Sequence, residues 1–297
     1  MKAFEYLRPA SIEEACALLA AGDGSSKVLA GGTDLLVQMK QGKLRPEALI
    51  SLRGVPGLSF IRLDSDGSLS LGAATPLGSV ERSPEVIKDF PAIAEAASWI
   101  GSVQVRSRAT VGGNLCNAAP SADMAPILIA FGAEAVIADG GAERTVPLED
   151  FFTGPGRTAL RPGELLKAIN VPPAPAGSFG KYLKARRSAM DLATVGVGAL
   201  VVFAPGSARP PGVVEDVRLV LGAVAPTPIR AREAERMLTG HTLDEEVIAQ
   251  ASRKAAQEAR PITDVRASAE YRTTLVEVLS RRALLAAYSW GEKGGRE

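Results

Sequence analysis

The stretch that decides the reading is Thr110-Val-Gly-Gly-Asn-Leu-Cys-Asn-Ala-Ala-Pro-Ser-Ala-Asp-Met-Ala-Pro126, with an echo upstream at Leu29-Ala-Gly-Gly-Thr-Asp-Leu-Leu36. Each begins with small or apolar residues, reaches a Gly-Gly pair and then presents a polar residue. A glycine pair lets the backbone adopt positive φ and lets another group approach it closely. Consecutive N–H groups in such a turn form an anion-binding concavity. Two such turns brought together would hold the two phosphates of a dinucleotide. One pair alone reads as a tight turn after a strand. Two pairs, each after a β-like run and each followed by side-chain donors and acceptors, favour the phosphate reading.

The rest of the composition narrows the chemistry. The 297 residues suffice for one large domain or two ordinary ones. An apolar fraction of 46% and a mean hydropathy of +0.10 predict a substantial core and exclude general disorder. Lys and Arg total 34 against 33 Asp and Glu, so charge gives no reason to expect a nucleic-acid or acidic-membrane partner. Two cysteines, Cys16 and Cys116, cannot hold an iron–sulfur centre, which needs about four thiolates. They form no disulfide framework either. Met1 to Pro9 contains no apolar run long enough for a signal peptide or a membrane span. The expectation is a soluble, cytoplasmic chain. With one histidine, His241, and no evident acid–base dyad, the chemistry is expected to belong to a cofactor.

Periodicity outlines the elements. A strand at Phe4 and Tyr6 leads into Ser11-Ile-Glu-Glu14, a capping box opening a helix that Gly22 closes; Cys16 reads as core filling. Lys27–Ala30 is a strand running into the first Gly-Gly turn, Leu35, Leu36 and Met39 a helical turn leaving it, and Ala48–Leu52 the next strand. Leu58 to Leu71 reads as a hairpin around Asp64-Ser-Asp-Gly67, and Ala92 to Ile100 as a helix. A helix capped by Ser121, with Asp123 in its first turn, should carry Ile127 to Phe131. Strands at Ala135–Ala138 and Glu164–Val171 flank a loop at Leu148–Gly156. Pro172-Pro-Ala-Pro175 then marks a domain boundary. Beyond it, strands at Phe179–Lys184, Thr194–Phe203 and Val214–Gly222 precede helices at Ile229–Thr239, Asp244–Ala259 and Val265–Tyr288. That order predicts an α+β domain, a sheet covered on one face. The last residues, 291–297, read as a frayed tail.

Other constellations carry less. Neither glycine segment is a G-x-G-x-x-G, no Walker sequence or G-x-S-x-G elbow is present, and His241 reads as a surface residue. Lys181, Lys184, Arg186 and Arg187 form a basic cluster with Asp191 close behind. Strand alternation puts Lys184 and Arg186 on one face, where either could offer charge to a phosphate or an electron-rich ring.

On these residues the chain resembles the flavin subunit of the molybdenum hydroxylases, a family that includes the medium subunit of aerobic carbon monoxide dehydrogenase and the flavin domain of xanthine dehydrogenase. Ala30 to Leu36, Thr110 to Asn114, Ser121 and Asp123 carry the likeness. Tyr182-Leu-Lys184 through Asp191-Leu-Ala193 and Arg266-Ala-Ser-Ala-Glu-Tyr-Arg272 extend it to nearly the whole chain. The resemblance implies a two-subdomain FAD-binding domain of vanillyl-alcohol-oxidase (PCMH) type over residues 1–176. A C-terminal domain of carbon monoxide dehydrogenase flavoprotein type would follow over 177–290, a three-stranded antiparallel sheet with three helices.

The resemblance also implies the site. Non-covalent FAD would touch Leu29, Ala30, Gly31, Gly32, Thr33, Asp34, Leu35 and Leu36 on one loop, and Thr110, Val111, Gly112, Gly113 and Asn114 on the other. Asp123 would lie near the ribose, with Ile100, Leu166 and Lys184 as further contacts. No residue of this chain would be catalytic or bind metal. Molybdopterin would sit on a large partner subunit and 2Fe-2S clusters on a small one, the whole forming a dimer of heterotrimers. Electrons would pass from the clusters through FAD to an external acceptor. The cysteine-bearing insertion of relatives that reduce aromatic coenzyme A thioesters is absent from the sequence. The competing readings are a stand-alone FAD oxidoreductase of the same fold, and an assembly subunit without flavin. The single histidine opposes the first and the intact glycine pairs oppose the second.

Overall fold

A computed structural model describes residues 2–22, 24–206 and 212–292. The chain opens with β1 (Glu5–Leu7), α1 (Ile12–Ala21), β2 (Ser26–Leu29), α2 (Leu35–Lys40) and β3 (Ala48–Ser51). Helical crossovers make the three strands parallel, in the order β1-β3-β2, so β2 is an edge. Ser11 caps as expected, its Oγ accepting from the Glu14 N–H, while the Glu14 carboxylate reaches back one residue beyond the cap, to the Ala10 N–H. Gly22 ends α1 at φ −81°, not in the left-handed region. Glycine is needed there because a Cβ would sit 2.3 Å from Ser26 Oγ. Cys16 is core filling, buried with Ile50, Leu52, Leu58 and Leu165.

The second part begins with β4 (Ile61–Leu63) and β5 (Leu69–Gly72), the expected hairpin. Six short helices follow: α3 (Leu77–Arg82), α4 (Pro84–Asp89), α5 (Pro91–Ser98), α6 (Val103–Arg106), α7 (Val111–Cys116) and α8 (Met124–Ala130). Then come β6 (Glu134–Ala138), β7 (Glu143–Pro147), α9 (Leu148–Phe151), β8 (Phe152–Gly154), β9 (Arg157–Thr158) and β10 (Leu165–Val171). β4-β5-β10-β6-β7 form a five-stranded antiparallel sheet. The expected loop at 148–156 is a helical turn running into a two-stranded ribbon, pinned by the buried Leu148 and Phe151. The helix expected from Ser121 starts at Met124.

The third part is β11 (Ser178–Ala185), β12 (Val195–Phe203), β13 (Val214–Gly222), β14 (Ile229–Arg230), α10 (Arg232–Leu238), α11 (Glu245–Glu258) and α12 (Ala269–Glu292). Its sheet has a fourth strand beyond the three expected. Ile229 and Arg230 extend the β13 ladder opposite Leu221 and Val220, so α10 starts at Arg232, not at Ile229. α12 starts later than Val265 because Asp264 accepts the N–H groups of Arg266 and Ala267 in a turn, and Ser268 Oγ then caps the helix at Tyr271 N. Of the tail, 293–297 lie outside the described residues.

Every residue of β12 is buried, yet it alternates. Val195, Val197, Ala199, Val201 and Phe203 pack on the C-terminal helices, while Leu200 and Val202 join the core of the preceding part. The sheet is thus the middle layer. α8 lies against its second face, where Gly198 and Gly222 admit Pro126: a Cβ at Gly198 would be 2.6 Å from the Pro126 carbonyl carbon.

Candidate functional site

The first glycine loop supplies donors. β2 ends at Leu29, whose carbonyl accepts from Leu52 N at 2.9 Å. Among the described residues, no protein acceptor engages the N–H groups of Ala30, Gly31, Gly32, Thr33 or Asp34. Gly32 holds φ +76°, the left-handed turn that glycine makes without steric cost. Gly31 serves packing. A Cβ there would lie 2.1 Å from the Arg108 carbonyl oxygen, so the loop rests directly on the backbone that enters the second loop. Asp34 is exposed at the loop's end, and the protein around its carboxyl desolvates it and raises its pKa. Leu35 and Leu36 open α2.

The second loop differs from expectation. It is the first turn of α7, and neither Gly112 nor Gly113 has positive φ. Its N–H groups are already engaged. Val111 N donates to Thr75 O at 3.0 Å, Gly112 N to Ala73 O at 2.8 Å, Gly113 N to the capping Thr110 Oγ1 at 3.0 Å and Asn114 N to Thr110 O at 3.0 Å. The reason is tertiary: the 73–75 segment offers its carbonyls to the loop. The two glycines then have separate roles. Gly112 is buried, and a Cβ there would meet Ala73 Cβ at 2.6 Å. Gly113 is half-buried; a Cβ there would lie 2.9 Å from the capping Thr110 Oγ1 and 4.0 Å from Ala30 Cβ. Gly113 is therefore the floor facing the donor loop. One loop gives N–H groups, the other gives close approach.

Beyond Gly113, Asn114 Oδ1 accepts from Met124 N at 3.4 Å and does the capping expected of Ser121. Asp123 occupies the N-cap position but does not cap. Its Oδ1 accepts from Tyr182 Oη at 2.7 Å and its Oδ2 from Lys184 Nζ at 2.9 Å. Lys184 Nζ also donates to Trp99 O at 3.2 Å. The Lys184 and Asp123 side chains are 1% and 6% exposed, which makes this a desolvated ion pair. Burial raises the Asp123 carboxyl pKa, against the pull of Lys184 and Tyr182. Burial, then the Asp123 charge, raises the Tyr182 phenol well above its ordinary range. Arg186 stacks on the Trp99 ring, 4.4 Å from its centroid. Lys184 and Arg186 thus do share a face, the one turned toward Trp99 and Asp123 of the second part.

Ile100 is buried next to Trp99, and its carbonyl accepts from Arg106 at 3.1 Å. Leu166 lies in β10 opposite Ile137, sharing one core with Ile100, Ala73 and Val111. Tyr182 and Trp99 were missed as site residues. Tyr182 carried a signal, since it stands two residues before Lys184 on one strand face. The Trp99 carbonyl had none. Arg187 pairs with Asp191 at 2.7 Å, and His241 is exposed. Two cavities of ≈ 280 and ≈ 230 Å³ lie elsewhere, by Met39, Lys40 and Arg45 at the far end of α2 and along α11. Neither cavity is lined by residues of the glycine loops. Among the described residues, no group of three His, Cys, Asp or Glu could hold a metal ion.

The fold sets a run of unengaged N–H groups and two glycine loops near a buried lysine–aspartate pair, the kind of arrangement that takes a dinucleotide. Comparison with known proteins gives that class a family. Residues 2–174 match the FAD binding domain in molybdopterin dehydrogenase, and residues 180–287 match the CO dehydrogenase flavoprotein C-terminal domain. The chain is 34% identical over 284 residues to the putative xanthine dehydrogenase FAD-binding subunit of Escherichia coli, covering 95% of each. It is 35% identical over 286 residues to the carbon monoxide dehydrogenase medium chain of Hydrogenophaga pseudoflava, covering 96% of this chain and 97% of that one. A solved carbon monoxide dehydrogenase from Hydrogenophaga pseudoflava superposes with a TM-score of 0.91 at 36% identity, over 96% of this chain and 97% of that one. The chain belongs to the FAD-binding medium subunits of the carbon monoxide and xanthine dehydrogenase family. Its cofactor is FAD, and it is an oxidoreductase subunit.

Proposed function

We propose that this chain is the electron-exit subunit of a cytoplasmic molybdenum hydroxylase. A small subunit with 2Fe-2S clusters delivers electrons, a large molybdopterin subunit oxidises the substrate, and the three chains assemble as a dimer of heterotrimers. The relatives are themselves named as medium chains or FAD-binding subunits, and among the described residues no helix is long and apolar enough to cross a membrane. Residues 1–176 form the FAD-binding domain and 177–290 the C-terminal domain in this reading.

The observation that carries the assignment is the unpartnered N–H run at Ala30–Asp34 facing the Gly113 floor. Such a run binds the pyrophosphate, with Leu29, Leu35 and Leu36 shaping its ends and Thr110, Val111 and Gly112 holding the floor. Asn114, through Met124 N, joins that floor to Asp123. Lys184, Ile100 and Leu166 complete the cofactor contacts. When bound, FAD accepts electrons and passes them on, and this chain's residues hold and orient it. In this reading the chain is not asked to supply a substrate-side acid–base pair.

The test is to purify the chain with its co-purifying partners and alone. Flavin absorption with about one FAD per chain is expected in both. Substrate should bleach the flavin only with partners present. Bleaching in the isolated chain would promote the stand-alone oxidoreductase.

A further inference from the structure

The cavity of ≈ 280 Å³ at the far end of α2 is lined by Lys2, Met39, Lys40, Gly42 and Arg45. Three of these five residues are cations and none is acidic. Lys2, Lys40 and Arg45 are all exposed, and Lys43 adds a fourth exposed cation in the same stretch. Among the described residues every ion pair lies at or beyond Arg62, so none of these charges is neutralised by the protein. Glu5 and Glu47, the carboxylates that stand near Lys2 and Arg45 in sequence, pair with neither.

The fold gathers these charges from three segments. α2 ends at Lys40, and Gly42, at φ +72°, turns the chain back. Gly42 N donates to Met39 O at 3.1 Å and Lys43 N to Gln38 O at 3.0 Å, which closes the helix and sends the chain on to Arg45. The guanidinium of Arg45 stands beside the turn: a Cβ on Gly42 would be 3.9 Å from its Nη2. β1 pairs with β3 in parallel, Glu5 opposite Ala48, and Glu5 N donates to Glu47 O at 2.8 Å. Carried back three residues, that register sets Lys2 level with Arg45. Met39, 4% exposed, gives the cavity an apolar floor. Lys40 has a structural reason, because a cation in the last turn of a helix complements its dipole. Lys2 and Arg45 have none, since like charges level on neighbouring segments repel.

We propose that this cavity is a second anion site, which takes the phosphate groups of a small molecule. The Arg45 fork matches two phosphate oxygens at once, and the Lys2 and Lys40 ammonium groups neutralise the remaining charge. A concave wall of one sign concentrates counter-ions, and a bound anion relieves the repulsion between Lys2 and Arg45. The volume lies near the lower end for small-molecule sites, about 300 Å³, which suits a diphosphate or a mononucleotide. The site is separate from the Ala30–Asp34 donors, with the six residues of α2, about 9 Å, between them.

The test uses the full chain with its FAD and the partners that co-purify, so that the donor loop is already occupied. Pyrophosphate and ADP are titrated by calorimetry into the wild type, Arg45→Gln, Lys2→Gln and a control, Arg53→Gln, an exposed cation outside the cavity. The wild type should bind one pyrophosphate per chain, more weakly as salt rises. Arg45→Gln should weaken that binding about tenfold, Lys2→Gln should weaken it less, and Arg53→Gln should match the wild type. Without ligand, Arg45→Gln and Lys2→Gln should melt no lower than the wild type, because a like-charge contact is gone. Tighter binding of ADP than of pyrophosphate would identify a nucleotide as the ligand, and equal binding would identify the phosphate groups alone; both support the site. Absence of saturable binding of either probe, binding unaltered in Arg45→Gln, or binding weakened as much by Arg53→Gln as by Arg45→Gln would overturn the proposal. A chain that holds no FAD would count against the flavin reading, while the comparison of Arg45→Gln with Arg53→Gln would still decide this one.

Discussion

Among the loop glycines only Gly32 has positive φ, so identical Gly-Gly pairs have different tolerances. Gly113→Val should still fold, with the flexible Thr110 hydroxyl 2.9 Å from the new Cβ giving way, and bind FAD at least tenfold more weakly, because the larger side chain narrows the gap toward Ala30, 4.0 Å from that Cβ. Gly112→Val should cost about 1–3 kcal/mol or more by overpacking against Ala73, with poor recovery of folded protein. Denaturation curves and flavin absorbance per polypeptide separate the two outcomes, and normal flavin content in Gly113→Val would remove that glycine from the site. Tyr182→Phe leaves Asp123 Oδ1 without its donor and should cost about 1–3 kcal/mol. Cys116, beside the floor, has its thiol pushed up to about 12 by burial. It is therefore a poor nucleophile toward flavin, and acid precipitation should release all the FAD. The Asp264 carboxyl is held down at about 2, chiefly by the Arg266 N–H and also by Arg272, against an opposing effect of burial. A folded-state pKa below the ordinary 3.8 stabilises the fold above that value, and this contribution is lost as pH falls from about 4 to about 2. Asp264→Asn should flatten the fall in denaturation midpoint between pH 5 and pH 2.5; an unchanged pH profile would remove Asp264 from acid unfolding.

At the scale of elements, α8 is the piece that joins the domains, seated where β12 and β13 carry Gly198 and Gly222. Gly198→Ala should lift Pro126, lower the unfolding temperature and quicken proteolysis at Pro172–Pro175; unchanged cleavage and melting would mean α8 tolerates the shift. The three long strands β11, β12 and β13 were readable from sequence as runs of apolar and β-branched residues, but not the burial of both faces of β12, because Leu200 and Val202 meet a core built by an earlier part of the chain. The α1 cap was readable because all its groups lie within a few residues. The helical state of Val111 to Cys116 was not, because the carbonyls that occupy its N–H groups belong to Ala73 and Thr75. Nor was the late start of α12, where Asp264 diverts the chain into a turn before Ser268 caps it. Two local roles were not readable: Asp123, expected in the first turn of the helix, pairs with Lys184 and Tyr182, and Gly31 serves backbone packing.

The whole molecule divides its labour between two cradle loops about eighty residues apart in sequence, which meet where Gly31 rests on Arg108. That contact is made within the protein, so the cleft should exist before FAD arrives, and flavin binding to the stripped chain should show little change in far-ultraviolet circular dichroism. A large gain in signal would mean the loops order only on binding. The edge position of β2 has a further effect. Its unpaired donors continue into Ala30–Asp34, so a chain without flavin presents an open template for strand addition by another chain. Lys27, exposed on that strand, is the only charge along it to discourage such pairing. FAD seated as proposed on the Ala30–Asp34 donors would close that end of the template, and so would also guard the chain against edge-to-edge association. Light scattering of the stripped chain, rising with time and suppressed by added FAD, is the expected signature.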